Sequence, residues 1–391
     1  MSSDRSDQLD VSVVMPCLNE ADTLKVCVEK ALQAFRDGGL RGEVVVADNG
    51  STDGSQEIAR ACGARVVPVA ERGYGSALMG GIAAARARFI IMGDADESYD
   101  FLEIPKFVAK LREGNDLVQG CRLESGGGRI LPGAMPFLHR WWGNPMFTSM
   151  VRRWFGAPVH DVYCGLRGFT REFYEGLDQR CTGMEFATEM VIKAGIYRAR
   201  VAEVPITLHP DGRVAHAPHL KTFRDGWRTL RFFLLYSPRW LFLTPGIVLV
   251  GLGLIGYALA LPGTRVLGVR FDAHTLLFAS LSIVCGYQSI AFAAFAKAFA
   301  IGEGLMPLSE VTRRVYRRVS LEQGLIAGAV AMVSGIGLLL GAVAQWKARN
   351  FGDLDYAVTM RWVVPGVTLT ALGFQTILSS FFLSLLAMRR R

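Results

Sequence analysis

The chain is short of charge. Of its 391 residues only 20% are Asp, Glu, Lys or Arg, against 51% hydrophobic residues and a mean hydropathy of +0.27. That balance excludes a disordered or collagen-like polypeptide and is too apolar for an ordinary soluble enzyme of this length. The seven cysteines (Cys17, Cys27, Cys62, Cys121, Cys164, Cys181, Cys285) are odd in number and include no Cys-x-x-Cys pair. A disulfide-stapled scaffold and a structural zinc site are therefore excluded, and a reducing compartment is expected. The first ten residues, Met1–Asp10, are polar, so no cleavable signal peptide is expected there. Gly73-Tyr-Gly75 lacks the third glycine and the acidic partner of a dinucleotide fingerprint. His209, His216 and His219 lie in a proline-broken loop without supporting cysteines, which argues against a metal site.

The apolar excess is concentrated. From Met1 to about Pro238 charged and apolar residues alternate as in a globular domain; from Arg239 onward long apolar runs are broken by short basic loops. Four segments have the roughly 20 apolar residues a bilayer span requires: Trp240–Leu261, His274–Ile301, Gln323–Trp346 and Trp362–Met388. None carries a central pair of charged residues, which disfavours a transporter. Arg313, Arg314, Arg317 and Arg318 fall in one loop and Arg389, Arg390 and Arg391 at the C-terminus, whereas the loop Pro262–Ala273 holds only Arg265 and Arg270. This bias places both termini and the soluble portion in the cytoplasm, in a bacterial inner membrane. It also assigns the net charge of +8 to membrane lipids rather than to nucleic acid. Gly324-x-x-x-Gly328 and Gly337-x-x-x-Gly341 suit close helix packing within the bundle, or a homo-oligomer seam.

In the soluble portion, strand patterns at Val11–Pro16, Glu43–Asp48, Arg65–Val69 and Arg88–Gly93 alternate with helical stretches. A mostly parallel, Rossmann-like α/β sheet is expected, with ligands beyond the carboxyl ends of its strands. The boundaries read as a flexible N-terminus (1–10), a catalytic domain (11–218), an interfacial amphipathic helix (219–238) and a four-helix transmembrane domain (239–391). Three strand ends carry polar clusters: Asn19/Glu20, Asp48/Asp53 and Asp94-Ala-Asp96. Two carboxylates one residue apart at the end of an apolar strand can hold a hard divalent cation beside a diphosphate.

Val13-Val-Met-Pro16-Cys-Leu-Asn-Glu20, Asp48-Asn-Gly-Ser-Thr-Asp53 and Asp94-Ala-Asp96 resemble, in order and spacing, the family 2 glycosyltransferases of GT-A fold. Arg72-Gly-Tyr-Gly-Ser-Ala-Leu, Gln119-Gly-Cys-Arg122, Asp161-Val-Tyr-Cys-Gly165-Leu-Arg167-Gly-Phe169 and Glu203-Val-Pro205 are similar to the polyprenyl-phosphate members, the dolichyl-phosphate mannose and glucose synthases. The resemblance covers about residues 11 to 240. It implies that Pro16, Leu18, Glu20 and Asp48 hold the nucleotide, with Asp94, Ala95 and Asp96 at the diphosphate. Asp94 and Asp96 would bind Mg2+ or Mn2+, and Ser98 or Asp100 would complete the metal shell. Arg122, with Asp94 and Asp96 in the catalytic set, would bind the acceptor phosphate together with Arg213 or Lys221, Arg213 being preferred. The segment Tyr163 to Phe169 would form a mobile acceptor loop.

Lys221, Arg224, Arg228 and Arg231 alternate with Phe223, Trp227, Leu230 and Leu234, the pattern of a helix in the bilayer interface; Pro136–Phe155, with Trp141, Trp142 and Trp154 and the basic Arg140, Arg152 and Arg153, is a second. Glu185 and Glu189 share a helix face and mark either the acceptor's surroundings or an exposed surface. The reading is a membrane enzyme that moves one hexose from a UDP- or GDP-sugar to a polyprenyl phosphate with inversion. A processive synthase is disfavoured because no Gln-x-x-Arg-Trp motif occurs. A non-catalytic scaffold is disfavoured by the intact charge cluster.

Overall fold

The computed structural model describes residues 9–213, 222–266, 268–308, 310, 312–314 and 320–387. Lys221, His216, His219, Arg317, Arg318 and Arg389–Arg391 lie outside the described residues. The chain forms two compact units, Met1–Phe233 and Leu234–Arg391.

In the first unit, strands and helices alternate. The elements are β1 (Val11–Cys17), α1 (Leu24–Asp37), β2 (Gly42–Asp48), α2 (Ser55–Ala61), β3 (Arg65–Pro68), α3 (Tyr74–Ala84), β4 (Phe89–Met92) and α4 (Ile104–Arg112). They continue with β5 (Leu117–Cys121), β6 (Arg129–Ile130), α5 (Asn144–Phe155), β7 (Arg167–Thr170), α6 (Arg171–Leu177), α7 (Glu185–Ile196), β8 (Val201–Pro205), β9 (Thr207–Leu208) and α8 (Thr222–Leu235). Every residue of β1 and of β5 is buried, as expected of central strands covered on both faces. α1 buries Leu24, Cys27, Val28, Ala31, Ala34 and Phe35, the helical spacing of an amphipathic face turned to the core.

The sheet runs β3-β2-β1-β4-β7-β5-β8. β1–β2, β1–β4, β2–β3 and β5–β8 pair in parallel, whereas β7 pairs antiparallel with both β4 and β5. The mostly parallel sheet of GT-A type is thus present, with one reversed strand, β7, in its interior. That strand corrects one expectation. The second half of the proposed acceptor loop is β7, all of whose residues are buried, and Cys164 and Leu166 before it are fully buried too.

Among its described residues the second unit holds four helices long and apolar enough to cross a membrane, Arg239–Ala260, Ala273–Gly302, Leu321–Ala348 and Tyr356–Leu386. A capping box between Ser320 and Gln323 starts the third. Gly324-x-x-x-Gly328 packs within the bundle: a Cβ on Gly328 would stand 2.8 Å from the Gly373 carbonyl oxygen. Gly337 and Gly341 have no neighbour within 4 Å of such an atom.

Candidate active site

Strands β1, β2 and β4 end side by side, since Cys17 pairs with Asp48 and Val14 with Met92. Their following loops are tied together by polar side chains. Asn19 takes a left-handed conformation (φ 59°). Its Oδ1 accepts from the Thr52 N–H at 2.9 Å, while its own N–H donates to Ser51 Oγ at 2.9 Å. The Glu20 N–H donates to Ser55 Oγ at 3.0 Å, and the Ala21 N–H to Asp53 at 2.9 Å. Asp48 is buried and accepts from the N–H groups of Gly50 and Ser51 and, at 2.8 Å, from Gln56 Nε2. It builds this loop rather than presenting a free carboxylate. Pro16 is buried inside β1, while Leu18 is exposed at the strand's end.

Past β4 the chain turns through Gly93 into Asp94-Ala-Asp96. The Ala95 carbonyl accepts from Thr23 Oγ1 at 2.6 Å, which anchors the turn to the start of α1. Asp94 Oδ1 accepts from the Tyr74 hydroxyl at 2.8 Å. Asp94 Oδ2 lies 2.6 Å from where a Cβ on Gly165 would sit, so glycine there makes room for the carboxylate. Burial, with the Asp96 charge added, raises the Asp94 carboxyl to about 6 against the pull of Tyr74 and Arg213. Burial and the Asp94 charge hold the Tyr74 hydroxyl well above its usual range, so it remains a donor.

Arg213 closes this group. Its guanidinium reaches Glu20 Oε1 at 3.2 Å, Asp96 Oδ2 at 3.1 Å and Asp211 Oδ2 at 2.6 Å. Three carboxylates (Glu20, Asp96, Asp211) thus share Arg213, and the fourth, Asp94, is held by Tyr74 beside them. Burial lifts the Glu20 carboxyl to about 7 despite Arg213, with Asp96, Asp211 and Asp94 adding to the rise. The surplus of negative oxygen is the chemistry of a hard-cation site. Among the described residues no three His, Cys, Asp or Glu side chains converge as a complete metal site. A cation here would therefore rely on Asp94 and Asp96 plus oxygens from a ligand.

Three sequence expectations meet different geometry. Asp100 caps the short turn Phe101–Glu103 by accepting from the Leu102 N–H at 3.1 Å, and it lies 3.8 Å from Lys30, so it is committed elsewhere. Ser98 Oγ donates to Asp96 Oδ1 at 2.5 Å, placing Ser98 as a support of that carboxylate. Arg122 is buried and already paired: Nε and Nη2 donate to Asp161 at 2.6 and 2.8 Å, and its N–H donates there at 3.1 Å. The bidentate pair leaves little of the guanidinium for an incoming anion.

Glu189 is fully buried against Lys193 at 2.8 Å and accepts from the Cys181 N–H at 2.9 Å. This corrects the exposed-face alternative for that residue. The pair anchors residues 178–183, whose Thr182 carbonyl accepts from the Ser76 N–H at 3.1 Å. A Cβ on Gly75 would meet the Cys181 carbonyl oxygen at 2.4 Å, so the glycines flanking Tyr74 let the segment press against it. Glu185 instead pairs with Arg228 at 2.7 Å.

Tyr74, Asp161 and Asp211 emerge only from the structure. Each stands inside or beside a motif that the sequence singles out, but its partner is distant in the chain or was not recognised as one.

Residues 12–177 match the family model described as Glycosyl transferase family 2, and residues 294–387 match Glycosyltransferase family 2 C-terminal transmembrane region. The chain is 38% identical over 388 residues to the low-salt glycan biosynthesis hexosyltransferase of Haloferax volcanii, covering 98% of this chain and 90% of that one. It is 34% identical over 198 residues to a dolichyl-phosphate hexose transferase of the same organism, covering 50% of this chain and 82% of the relative. An undecaprenyl-phosphate 4-deoxy-4-formamido-L-arabinose transferase of Klebsiella pneumoniae is 32% identical over 203 residues, which is 50% of this chain and 58% of that one. Likeness across nearly the whole length, carboxylate cleft and apolar spans together make the chain an integral membrane glycosyltransferase, and it belongs to glycosyltransferase family 2.

Proposed function

We propose that this enzyme transfers a hexose from a nucleotide sugar, UDP- or GDP-linked, to a polyprenyl phosphate at the cytoplasmic face of the membrane. The observation that carries the reading is the carboxylate cleft at the ends of β1 and β4, where Arg213 bridges Glu20, Asp96 and Asp211 beside Asp94. Two relatives whose names specify dolichyl-phosphate and undecaprenyl-phosphate support the acceptor class.

Asp94 and Asp96 would hold Mg2+ or Mn2+, for which one or two carboxylates plus substrate phosphates are the usual donors. When bound, the cation neutralises charge on the departing diphosphate. Tyr74 orients Asp94, and Ser98 orients Asp96. The exposed Leu18, Glu20 and the loop built on Asp48 would hold the base and ribose. A phosphate monoester has a second pKa of about 6, so the acceptor is an anionic nucleophile at neutral pH and needs no general base. It needs cations to hold it, and Arg213 and Lys221 are assigned that task. Arg213 would trade its carboxylate contacts for phosphate oxygens when substrates fill the cleft. Arg122, locked to Asp161, shapes the end of β5 instead. A single in-line displacement inverts the anomeric carbon.

A membrane-surface position for the acceptor has support from aromatic residues. Phe233 of α8 packs edge-on against Phe147 and Phe155 of α5, at ring separations of 5.7 and 6.1 Å. Trp141 and Trp142, just before α5, and Trp227 of α8 are exposed, as residues that meet lipid headgroups are.

The test is transfer by detergent-solubilised protein from a panel of radiolabelled UDP- and GDP-sugars, with and without undecaprenyl phosphate and Mn2+. Label entering an organic-extractable lipid only when donor, carrier and metal are all present is the expected result. Consumption of no donor with any carrier by folded protein overturns the proposal.

A further inference from the structure

The soluble unit has a polar cavity apart from the carboxylate cleft. It is an open space of about 530 Å3 between α5 and the segment around His160. Ser149, Arg152 and Arg153 of α5 line it at i, i+3 and i+4, which places them on one face of the helix. The opposite face, with Phe147, Val151 and Phe155, is buried. Ser125 and His160 line it from the other elements, and none of the lining residues is acidic.

The walls are held in place. His160 Nδ1 lies 2.5 Å from Glu203 Oε2, and the His160 N–H donates to Glu203 Oε1 at 2.6 Å. That carboxylate is therefore occupied on both oxygens by the residue that forms the wall. Gly126, next to Ser125, allows the turn Glu124–Gly126 to close on the same residue: a Cβ there would stand 3.2 Å from the His160 Cβ. The turn is tied down again by Glu124, which accepts from Arg140 Nη2 at 2.7 Å. His160 lines the cavity while its neighbour Asp161 is buried at Arg122, so the space adjoins the cleft's structural pair without sharing it.

Arg152 and Arg153 have no carboxylate partner among the described residues, whereas Arg140, Arg122, Arg171, Arg180 and Arg228 in the same unit all do. Two uncommitted guanidinium groups on one helix face, with hydroxyls between and beside them, match a phosphate group's need for several donors and positive charge. We propose that this cavity is a phosphate-binding site, filled either by the headgroup of an anionic phospholipid or by free phosphate. It is distinct from the carboxylate cleft, none of whose residues line it.

The test uses the full chain in two settings. Detergent-solubilised protein is titrated with inorganic phosphate, and protein in nanodiscs of phosphatidylcholine is compared with protein in nanodiscs containing phosphatidylglycerol. In each, Arg152 and Arg153 are read by phenylglyoxal modification and mass spectrometry. The expected result is protection of both arginines by phosphate, by phosphatidylglycerol, or by both, and the arm that protects names the source. Binding by the double variant R152Q/R153Q should be weaker by roughly tenfold or more, the scale for losing charge-assisted hydrogen bonds. Nucleoside diphosphate binding by that variant reports that it is folded, and the protection measurement on the unaltered chain stands if it is not. No protection by either ligand, or undiminished binding by the folded double variant, overturns the proposal.

Discussion

The Tyr74 hydroxyl donates to Asp94 Oδ1 at 2.8 Å, joining the first turn of α3 to the loop after β4. The bond favours the charged carboxylate, so Tyr74→Phe should push the Asp94 carboxyl above its value of about 6. A cation binds the deprotonated form. Mn2+ affinity without donor should therefore be lost in the native chain as pH falls through about 6, and at a higher pH in the variant. Electron paramagnetic resonance titration of Mn2+ between pH 5 and 8 would read both curves. Coincident curves would leave the hydroxyl without influence on the carboxylate. Transfer at neutral pH should fall roughly tenfold, the scale for a hydrogen bond to a charged group.

Asp96→Asn removes one charge while keeping the shape of the side chain that meets Ser98 and Arg213. Transfer should drop by roughly a hundredfold or more, the scale seen when one group that stabilises developing charge is lost. Membrane insertion and yield should be unchanged. Turnover near that of the native chain would remove Asp96 from the site.

Arg213 is an internal cation among three carboxylates, Glu20, Asp96 and Asp211. Arg213→Ala should raise Mn2+ affinity in the absence of substrates, because the competing charge is gone. It should nevertheless lower transfer, chiefly through a higher KM for the lipid acceptor. Calorimetry with Mn2+ alone and kinetics at varied acceptor separate the two effects. Equal loss of affinity for donor and acceptor would contradict the assignment.

Asp161→Ala leaves the Arg122 guanidinium buried without its counter-charge, where the two side chains are 9% and 0% exposed. The soluble unit should lose about 3–5 kcal/mol, the cost of breaking one half of a buried pair. Replacing both residues by apolar ones should restore much of it. Thermal unfolding of the two variants in the same detergent checks the order, and a double variant no better than the single would overturn it.

The sequence discloses the cleft where a strand's apolar run stops at a carboxylate, as at Asp48 and Asp94, because β2 and β4 are buried along their cores and a carboxylate is tolerated only where the chain leaves the sheet. It does not disclose which polar residues are spent on each other. Arg122 and Asp161 lie 39 positions apart and meet only because β7 brings the returning chain beside β5. Asp100 follows a strand as Asp96 does, yet it caps a turn, and composition does not distinguish a cap from a ligand. Glu189 reads as half of a like-charged face with Glu185, whereas its partner is Lys193 one turn onward, inside the core. Spacing in a helix states which residues are neighbours and leaves open whether their face is wet.

β7 has one more implication, for the order of events during synthesis. Strands β3, β2, β1 and β4 are complete once Met92 has emerged, but β4 has no hydrogen-bonded neighbour on its far side until Arg167–Thr170 arrive. β5 likewise waits for the same four residues before it can join. The nascent chain must therefore keep the apolar flank of β4 shielded while some 75 further residues are made, about 4 to 15 s at ordinary elongation rates. β7 arrives late and joins β4 to β5 in one step, with β8 still to come, so the strands that carry Asp48 and Asp94 are made well before the strand that ties them to the rest of the sheet.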